Sequence, residues 1–566
     1  MTKRTTLLSF LLVVTFTFQV NCLSKQLGKN TWQPRPCSSY GYQDIVMMQP
    51  VYGSNYHHNQ WQISCMLHPD YMQSFNTLCN NDCSLGIMPF WSQSNIMTIG
   101  NNGVSDTNGY TSINGQVPIL ALPADVDGYQ FGLGNAKTIG ELSITPTIKH
   151  IGGNFMFYAV YNKPIQGFFL KVKAPLGAMI SSLHVHEKNA QFEKNIDEQW
   201  VSYPSPESRF NSLTDAWMGA SISASSQNEI TLKSRLHQSL TLEKGKLFCG
   251  KMTSIRLADI ALSTGLTLSH SENNFLSFGI KATLPTGTIP LSTYIFEPIF
   301  GRAGHWGLGG EITSFYKWQL AESKEFSIWM QTDFLHLFHG RSPNFRSFDL
   351  QQNGPGSKYL LTQFYFPSNT GRIPSFVTQA VNLTTLPVIS SFDIEGSIAC
   401  IINYDNNNWN YGLGIDFWGR SCEKITIDCC GLIKESSPNL NDFAVLGRQI
   451  SENSANIAED LFYCEPRARI NKSEPRRLVP NMYDNNIKDA RLSENRIPQN
   501  FYEALDIAGA SEPQSISYKY ITYAGYTWKN NQYSPNLKLV GGVEIAKYGT
   551  FKLHSWSIGL QNSLNF

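Results

Sequence analysis

Apolar and polar residues alternate along many short segments of this chain. In NFLSFGIKATL, the apolar residues Leu276, Phe278, Ile280, Ala282 and Leu284 alternate with serine, glycine, lysine and threonine. Successive side chains of a β-strand point to opposite faces, so this segment predicts a strand with one apolar and one polar face. The same alternation recurs in WGLGGEITSFYKWQL, FSIWMQTDF, WNYGLGIDF and LKLVGGVEI.

The alternation predicts twelve strands, which lie near residues 139–150, 154–162, 165–176, 256–268, 274–286, 306–320, 324–337, 394–404, 408–419, 515–528, 535–546 and 553–566. Two weaker candidates lie near 345–351 and 358–366. Bacterial single-chain membrane barrels have even strand counts, and both totals satisfy this rule. The predicted fold class is therefore all-β, an antiparallel transmembrane β-barrel of about 12–14 strands with long extracellular loops.

The lengths of the connections support a membrane barrel, which keeps short turns at its periplasmic end and long loops outside. Counted back from the C-terminus, the long connections all fall at one end of the barrel, at 177–255, 287–305, 338–393 and 420–514. Short links fall at the other end, near Lys163, Ser271, Ser323, Asn406 and Asn531. Two short connections, near Gly152 and Gly549, fall at the long-loop end, which the rule permits.

The C-terminal segment places apolar residues at alternate positions, namely Trp556, Ile558, Leu560, Leu564 and Phe566. This ending resembles the C-terminal assembly signal of Gram-negative outer-membrane β-barrel proteins, a general porin-like class. The resemblance implies a location in the bacterial outer membrane. It also implies outer-membrane lipid, lipopolysaccharide and the barrel-assembly machinery as partners.

The N-terminus predicts export. Lys3 and Arg4 precede an apolar run from Leu7 to Phe18, which is typical of a signal peptide, here assigned to residues 1–22. Residues 139–566 are assigned to the barrel. The intervening region, 23–138, contains four cysteines and either adds a strand pair to the barrel, plugs its lumen or caps it; the cysteines are Cys37, Cys65, Cys79 and Cys83.

Composition narrows the function classes. Aromatic residues make up 12% of the chain and charged residues only 15%, as suits a barrel with interfacial aromatic girdles. The formal net charge of +1 argues against nucleic-acid binding, which needs a basic face. An even number of cysteines remains after the signal peptide, and in an oxidising compartment this number is compatible with full pairing.

Charged residues of both signs occupy the predicted inner face. They are Lys171, Lys173, Lys281, Glu311, Lys317, Asp333, Glu395, Asp416, Lys519, Lys538 and Glu544. One interpretation is a pore wall whose transverse field filters solutes. The other is a set of internal salt bridges that plug a narrow barrel, since 8 strands can be filled by side chains while 16 to 18 leave a channel.

The sequence contains none of the common catalytic motifs G-x-S-x-G, H-E-x-x-H or the P-loop. We therefore expect no enzyme activity and no cofactor. His184 and His186 would share a face of an extended segment, but a solvated loop pair is favoured over a metal site. For Cys79 and Cys83, a disulfide is favoured over zinc in an exported chain.

The most favoured function is a porin-like channel for passive or weakly selective passage of small solutes, with the loop 420–514 as a constriction. The alternative is a surface-display or adhesion protein whose closed barrel only anchors large loops. A soluble secreted β-rich protein ranks last, because the sorted connection lengths and the terminal Phe566 would then be accidental. The sequence does not indicate the oligomeric state.

Overall fold

The computed structural model describes a large part of the chain. The described residues are 33–53, 60–75, 96–100, 125–128, 131, 139–161, 167–191, 212–219, 241–271, 273–340, 343–368, 371–428, 443–447, 463–464, 504–528, 535–548 and 553–565. The predicted signal peptide, Phe566 and most of the loop 420–514 lie outside these residues.

Twelve long strands form a closed antiparallel barrel. They are β1 (Trp61–Phe75), β2 (Thr147–Tyr161), β3 (Gly167–Ser182), β4 (Ile260–His270), β5 (Asn274–Leu284), β6 (His305–Ala321), β7 (Lys324–Gly340), β8 (Thr385–Asn406), β9 (Trp409–Arg420), β10 (Ser515–Thr527), β11 (Asn536–Tyr548) and β12 (His554–Asn565). Each strand pairs with the next along the chain. The last strand pairs with the first, from Ser64 opposite Asn565 to Phe75 opposite His554, and this pairing closes the barrel. The predicted fold class is confirmed.

The barrel is apolar outside and polar inside. Outward side chains such as Ile280, Leu413 and Leu320 are 59%, 66% and 63% exposed, whereas inward side chains such as Glu311 and Asp416 are buried. In water this outer surface would be unfavourable, but in a bilayer it faces hydrocarbon, and closure leaves no unpaired strand edge in the lipid. Such an inside-out barrel of antiparallel strands is that of an outer-membrane protein.

An aromatic girdle surrounds the end of the barrel with the short turns. Trp61 contacts Tyr161 with 5.3 Å between ring centroids, and Trp318 of β6 contacts Phe326 of β7 at 5.6 Å. Farther round the barrel, Trp409 lies 5.2 Å from the ring of Tyr526. Amphipathic rings at this level are typical of the membrane–water interface.

The connections alternate in length as expected. Those at one end span 76–146, 183–259, 285–304, 341–384 and 421–514, and we call it the outer end. Those at the inner end are short and span 162–166, 271–273, 322–323, 407–408 and 528–535. The remaining connection, 549–553, is a short one at the outer end. Both ends of the barrel sequence, Trp61 and Asn565, lie at the inner end, as the pairing of β1 with β12 requires.

Two details of the strand prediction were wrong. The alternation missed β1, because Pro69 interrupts its outward row while Met66 and Met72 lie on its inward, otherwise polar row. Residues 139–150 and 154–162 were expected to form two strands with a turn near Gly152, but Thr147–Tyr161 is one continuous strand. Gly152 lies inside that strand, in register with Asp70 of β1. The count of twelve is therefore right, although one strand was missed and another was divided.

The two weaker strand candidates lie outside the barrel. Phe345–Ser347 pairs with the first residues of β8, and Leu361–Ser368 pairs with Gly371–Gln379. Two further strands extend the sheet at the outer end of barrel strands. Lys251–Leu257 pairs with the last residues of β3, and Glu423–Ile427 pairs with Val388–Phe392 of β8. The barrel therefore has twelve strands and not fourteen.

The outer connections fold together into a cap. One small sheet contains Ile96–Gly100, Val126–Asp127, Ile139–Ser143 and His186–Gln191, and another contains Leu361–Ser368, Gly371–Gln379, Phe443–Gly447 and Tyr463–Cys464. Short helices lie at Leu213–Met218, Val381–Thr384 and Ile507–Ala510, with a 3₁₀ turn at Ser357–Tyr359; a second 3₁₀ turn, Cys37–Ser39, belongs to the segment inside the barrel. Trp217 stacks on Phe131 at 4.2 Å and meets Tyr359 at 4.7 Å, so three different connections share one apolar core.

Residues Gln33–Gly53 lie inside the barrel, and we call them the lumen plug. Their C-terminal part is helix α1 (Gly41–Gly53), which packs against β1, β7, β8, β9 and β12. Side chains such as Ile45, Val46 and Met47 are fully buried. Of the described residues before 139, Gln33–Gly53 thus lie in the lumen and Trp61–Phe75 form β1.

None of the helices in the described ranges is long and apolar enough to cross a membrane. Among the described cysteines, Cys37, Cys65, Cys249 and Cys400 are free thiols, while Cys422 is in a disulfide. The cysteines are therefore not all paired.

Candidate functional site

The structure places all eleven charged residues predicted for the inner face on the lumen side of their strands. Ten of them are almost fully buried, and Lys317 is half-buried; the ten are Lys171, Lys173, Lys281, Glu311, Asp333, Glu395, Asp416, Lys519, Lys538 and Glu544. Their role in lining a solute path stays a prediction. The strand-period alternation found them because an inward charge must lie between outward apolar residues.

Four of the five carboxylates predicted for the inner face lie on neighbouring strands. The successive strands β6 to β9 each contribute one of them, and we call Glu311, Asp333, Glu395 and Asp416 the acidic arc; the fifth, Glu544, lies on β11. Lysines of β3 and β5 face this arc. Lys171 Nζ lies 2.8 Å from Glu311, and Lys281 pairs with Asp333. The wall therefore pairs some of its own charges.

Other wall charges are paired with the plug. Arg35 Nη2 lies 2.7 Å from Asp416 Oδ1, and its Nη1 lies 3.7 Å from Glu544. The backbone N–H of Tyr42 donates to the second oxygen of Asp416 at 3.1 Å, and the Tyr40 hydroxyl donates to Glu544 at 2.9 Å. Two wall carboxylates are thus satisfied by the first residues of the plug.

Asp44, in the first turn of α1, is the plug carboxylate that pairs with lysines of the wall. Its Oδ1 lies 2.6 Å from Lys173 Nζ and its Oδ2 lies 3.1 Å from Lys171 Nζ. A carboxylate in the first helical turn also interacts favourably with the helix dipole. Burial disfavours the charged form, but Lys171 and Lys173 hold the pKa of Asp44 well below its usual range.

A proline inside α1 creates a second attachment point. Pro50 has no N–H, so the carbonyl of Val46, four residues earlier, loses its helical hydrogen-bond donor. The wall supplies replacements, because Lys538 Nζ donates to Val46 O at 3.1 Å and Gln561 Nε2 donates to it at 2.8 Å. Lys538 also donates to Gln49 Oε1 at 2.5 Å. The barrel therefore recognises a carbonyl that only a kinked or interrupted helix offers.

The inner end of the plug is held by aromatic contacts. The ring of Tyr52 lies 4.5 Å from that of Phe275 and 5.4 Å from those of Phe315 and His270. Lys317 Nζ donates to the Tyr52 carbonyl at 2.7 Å, which satisfies a group at the helix C-terminus. The inner end of the plug therefore lies in a cluster of aromatic rings, beneath the polar contacts.

Arg302 connects the outer loop 285–304 to the lumen. Its guanidinium lies 2.9 Å from Glu395 of the acidic arc and donates to the Ser38 hydroxyl of the plug. Its backbone N–H donates to Asp259 at 2.6 Å. All these groups are buried, so one arginine ties the loop, the wall and the plug together.

Sequence reasoning missed the plug side of these contacts, above all Arg35, Asp44 and Gln49. The segment GYQDIVMMQPVYG has no clean helical apolar face, and its interior proline argues against a helix. The usable signal was the combination of one acid, one proline and many apolar residues directly before β1. The expected constriction, loop 420–514, lies mostly outside the described residues, whereas the described occupant of the lumen is the plug.

Nothing in the described ranges is arranged as a group of three or more His, Cys, Asp or Glu side chains that could hold a metal ion. His184, which was weighed as a ligand, has Nε2 at 3.1 Å from the hydroxyl of Thr147. The outward residues of the predicted assembly signal, Trp556, Ile558, Leu560 and Leu564, are 39–48% exposed on the lipid face of β12. Their recognition by assembly machinery stays a prediction.

Comparison with known proteins gives the following. No protein-family model matches the chain, and no curated protein matches its sequence. Among solved structures, an outer membrane channel from Pseudomonas putida F1 is similar with a TM-score of 0.34 and 8% identity, over 91% of this chain and 98% of that one. A Pseudomonas aeruginosa FadL homologue gives 0.25 and 10%, over 89% of both chains. The P. putida toluene transporter TodX gives 0.25 and 7%, over 91% and 90%.

Proposed function

We propose that this protein is an outer-membrane channel for small solutes and that the lumen plug closes it in the present conformation. One observation carries the proposal: charges of the barrel wall find their partners on a separate segment. Asp416 and Glu544 pair with Arg35, and Lys173 pairs with Asp44. Displacing the plug would expose these wall groups together.

The polarity of the wall supports a water-filled path. A barrel of 8 strands can be filled by side chains from its own strands. Here the inward row carries lysines, carboxylates, serines and threonines, beside apolar side chains such as Phe315 and Trp329 that pack against Tyr52 of the plug. A displaced plug would therefore leave many wall groups that water solvates well. Twelve strands lie between the 8 that side chains can fill and the 16 to 18 of open porins.

The arrangement of charge supports passage of small polar solutes. The acidic arc on β6 to β9 faces lysines from β3 and β5, so an open lumen would carry a transverse field. Such a field orders water and discriminates among solutes by charge and dipole. Because charges of both signs are paired along the wall, we expect weak selectivity among solutes and no tight binding of any one solute.

The second candidate is a surface-display protein, and the cap favours it. The outer connections share an apolar core that includes Phe131, Trp217 and Tyr359, so they form a folded body and not separate loops. A closed lumen would suit such a protein equally well. Conduction by the lumen separates the two candidates.

Single-channel recording in a planar bilayer tests the proposal. The protein is used in full length, and its folded state is checked by the heat-dependent shift in gel mobility. We expect brief stepwise openings in the wild-type protein, and liposome swelling in small sugars with a sharp size limit. Silence from folded protein, both in the wild type and in variants that weaken the plug, would overturn the proposal and favour surface display.

A further inference from the structure

Three titratable side chains that the contacts above do not use lie together on the lumen wall. His68 and Asp70 of β1 and His150 of β2 all face inward and are at least nine-tenths buried. His150 Nδ1 lies 3.7 Å from Asp70 Oδ1, so the ring faces the carboxylate without a normal hydrogen bond. The structure brings these three together although Asp70 and His150 lie 80 positions apart in the sequence.

Each of the three has a buried polar atom with no hydrogen-bond partner in the described part of the chain. The atoms are His68 Nδ1, Asp70 Oδ1 and His150 Nε2. Buried polar groups are nearly always paired, and exceptions mark functional or strained sites. Three such atoms in one cluster indicate a site that is built to bind something small.

Glycines of the wall make room for the two imidazoles. A Cβ added to Gly559 would lie 2.7 Å from His68 Nε2. A Cβ added to Gly152 or Gly177 would lie 2.7 or 2.9 Å from His150 Nε2. Side chains at these positions would displace the rings, so the absence of a Cβ on three neighbouring strands shapes the cluster.

The charged groups around the cluster leave one carboxylate for two imidazoles, because Lys173 is paired with Asp44 of the plug and Lys519 is attracted by Glu544 of the wall. Asp70 is the carboxylate that faces both imidazoles. Lys173 and Lys519 repel a positive charge on His68, and Lys519 also repels one on His150. On the side of the plug, Cys37 and Tyr42 face Asp70. From the outer loop, Phe300 stacks on His150 with 5.3 Å between ring centroids. The cluster therefore touches the wall, the plug and the loop.

We propose that His68, Asp70 and His150 form a proton-binding site that controls the plug, so that acidification of the outer medium opens the lumen. The opening of a conducting path rests on the proposed channel function, whereas the effect of the protons on the position of the plug does not. A proton is the ligand that fits, because the cluster has unpartnered imidazole nitrogens and a carboxylate.

The direction follows from charge balance. With the plug in place, the single carboxylate of Asp70 can balance one imidazolium, but a second would be buried beside Lys173 and Lys519 without a partner. An unbalanced buried charge is strongly unfavourable. With the plug displaced, both imidazolium rings would be hydrated. The open state therefore binds more protons than the closed state, and falling pH favours it.

The test compares the wild-type protein with His68→Gln/His150→Gln at pH 7.5 and pH 5.0. Two readouts are used: amide hydrogen exchange of α1, corrected for the intrinsic pH dependence of exchange, and single-channel open probability. In the wild type we expect both to rise at pH 5.0, by about tenfold or more, since one net proton changes an equilibrium about tenfold per pH unit. In the double variant we expect no rise.

Two further variants sharpen the test. Asp70→Asn removes the balancing carboxylate, so its transition should move to higher pH. His184→Gln, in the cap, is the matched control and should keep the wild-type response. A wild type without any pH response in α1 exchange would overturn the proposal, and so would a full response in a folded double variant. If α1 exchange responds but no current is seen, the proton site stands and the channel function fails; current without a pH response gives the opposite result.

Discussion

Asp44 of the lumen plug lies 2.6 Å from the ammonium group of Lys173 on β3, with both side chains buried. This ion pair links the plug, which belongs to no barrel strand, to the barrel wall. Loss of one member leaves the other charge buried without its partner, which typically costs about 3–5 kcal/mol. The stability of the plugged state is therefore concentrated in a few identifiable contacts.

Asp44→Asn should release the plug more often. The substitution keeps the side-chain volume but removes the negative charge, and it leaves Lys173 without its carboxylate, whereas Lys171 keeps Glu311 at 2.8 Å. We expect open probability in planar bilayers to rise at least tenfold over the wild type, because a loss of about 1.4 kcal/mol already changes an equilibrium tenfold.

Asp333→Asn is the control for that substitution. It breaks the ion pair with Lys281, which joins two wall strands, and because Lys281 also attracts Asp44 of the plug, the substitution does not weaken the hold on the plug. We expect lower resistance to unfolding but little change in open probability. Equal effects of the two substitutions would show that general destabilisation, and not plug release, controls the current.

Lys538→Met combined with Gln561→Leu should loosen α1 at Pro50. Both donors to the Val46 carbonyl are then lost, and an unsatisfied buried acceptor costs about 1–3 kcal/mol. We expect faster amide exchange in α1. Adding Pro50→Ala should reverse much of the effect, because the new N–H can bond to Val46 within the helix. Failure of this rescue would contradict the assigned role of the two wall side chains.

Gly412→Ala should disturb the plug through Tyr523. A Cβ at Gly412 would overlap the Tyr523 ring, whose hydroxyl bonds to Gln49 of the plug and Asn403 of β8. We expect faster α1 exchange and a higher open probability. Gly541→Ala is the matched control, since a Cβ there meets no atom within 4 Å. An effect of Gly541→Ala as large as that of Gly412→Ala would argue against this contact.

Leu413→Arg should destabilise the barrel in lipid. Leu413 is 66% exposed on the outer face, and a charge on the lipid face near the bilayer centre costs about 2–4 kcal/mol. Unfolding in urea from lipid vesicles measures the change, with Leu413→Phe as the control that keeps the face apolar. Equal stability of the Arg and Phe variants would mean that this face does not meet hydrocarbon.

The sequence predicts the barrel wall well because its rule is local. In β5 and β9 the lipid and the lumen select opposite residue classes at alternate positions, so a few residues such as Ile280 and Lys281 reveal both faces. The alternation missed β1 because the lumen face of this strand packs against the plug, where Met66 and Met72 take the place of polar residues.

The sequence left a plug, a cap and an added strand pair open for residues 23–138, and the contacts of the plug could not be predicted because its partners are remote in the chain. Arg35 and Asp416 are 381 residues apart, and no local pattern specifies that they meet. A wall charge also reads the same from sequence whether it faces water or a plug. The sequence therefore identified the inward charges, while only the structure shows which of them the plug neutralises.

A disulfide lock between plug and wall shows whether the plug closes the lumen. A Cβ at Gly41 would lie 3.2 Å from Cβ of Ala399 on β8, close to the spacing of about 3.5–4.5 Å in disulfides. Gly41→Cys/Ala399→Cys, placed in the Asp44→Asn protein, should conduct when reduced and fall silent when the bond forms, with each single cysteine variant insensitive to oxidant. If mass spectrometry confirms the disulfide and the current is nevertheless unchanged, the lumen plug does not close the channel.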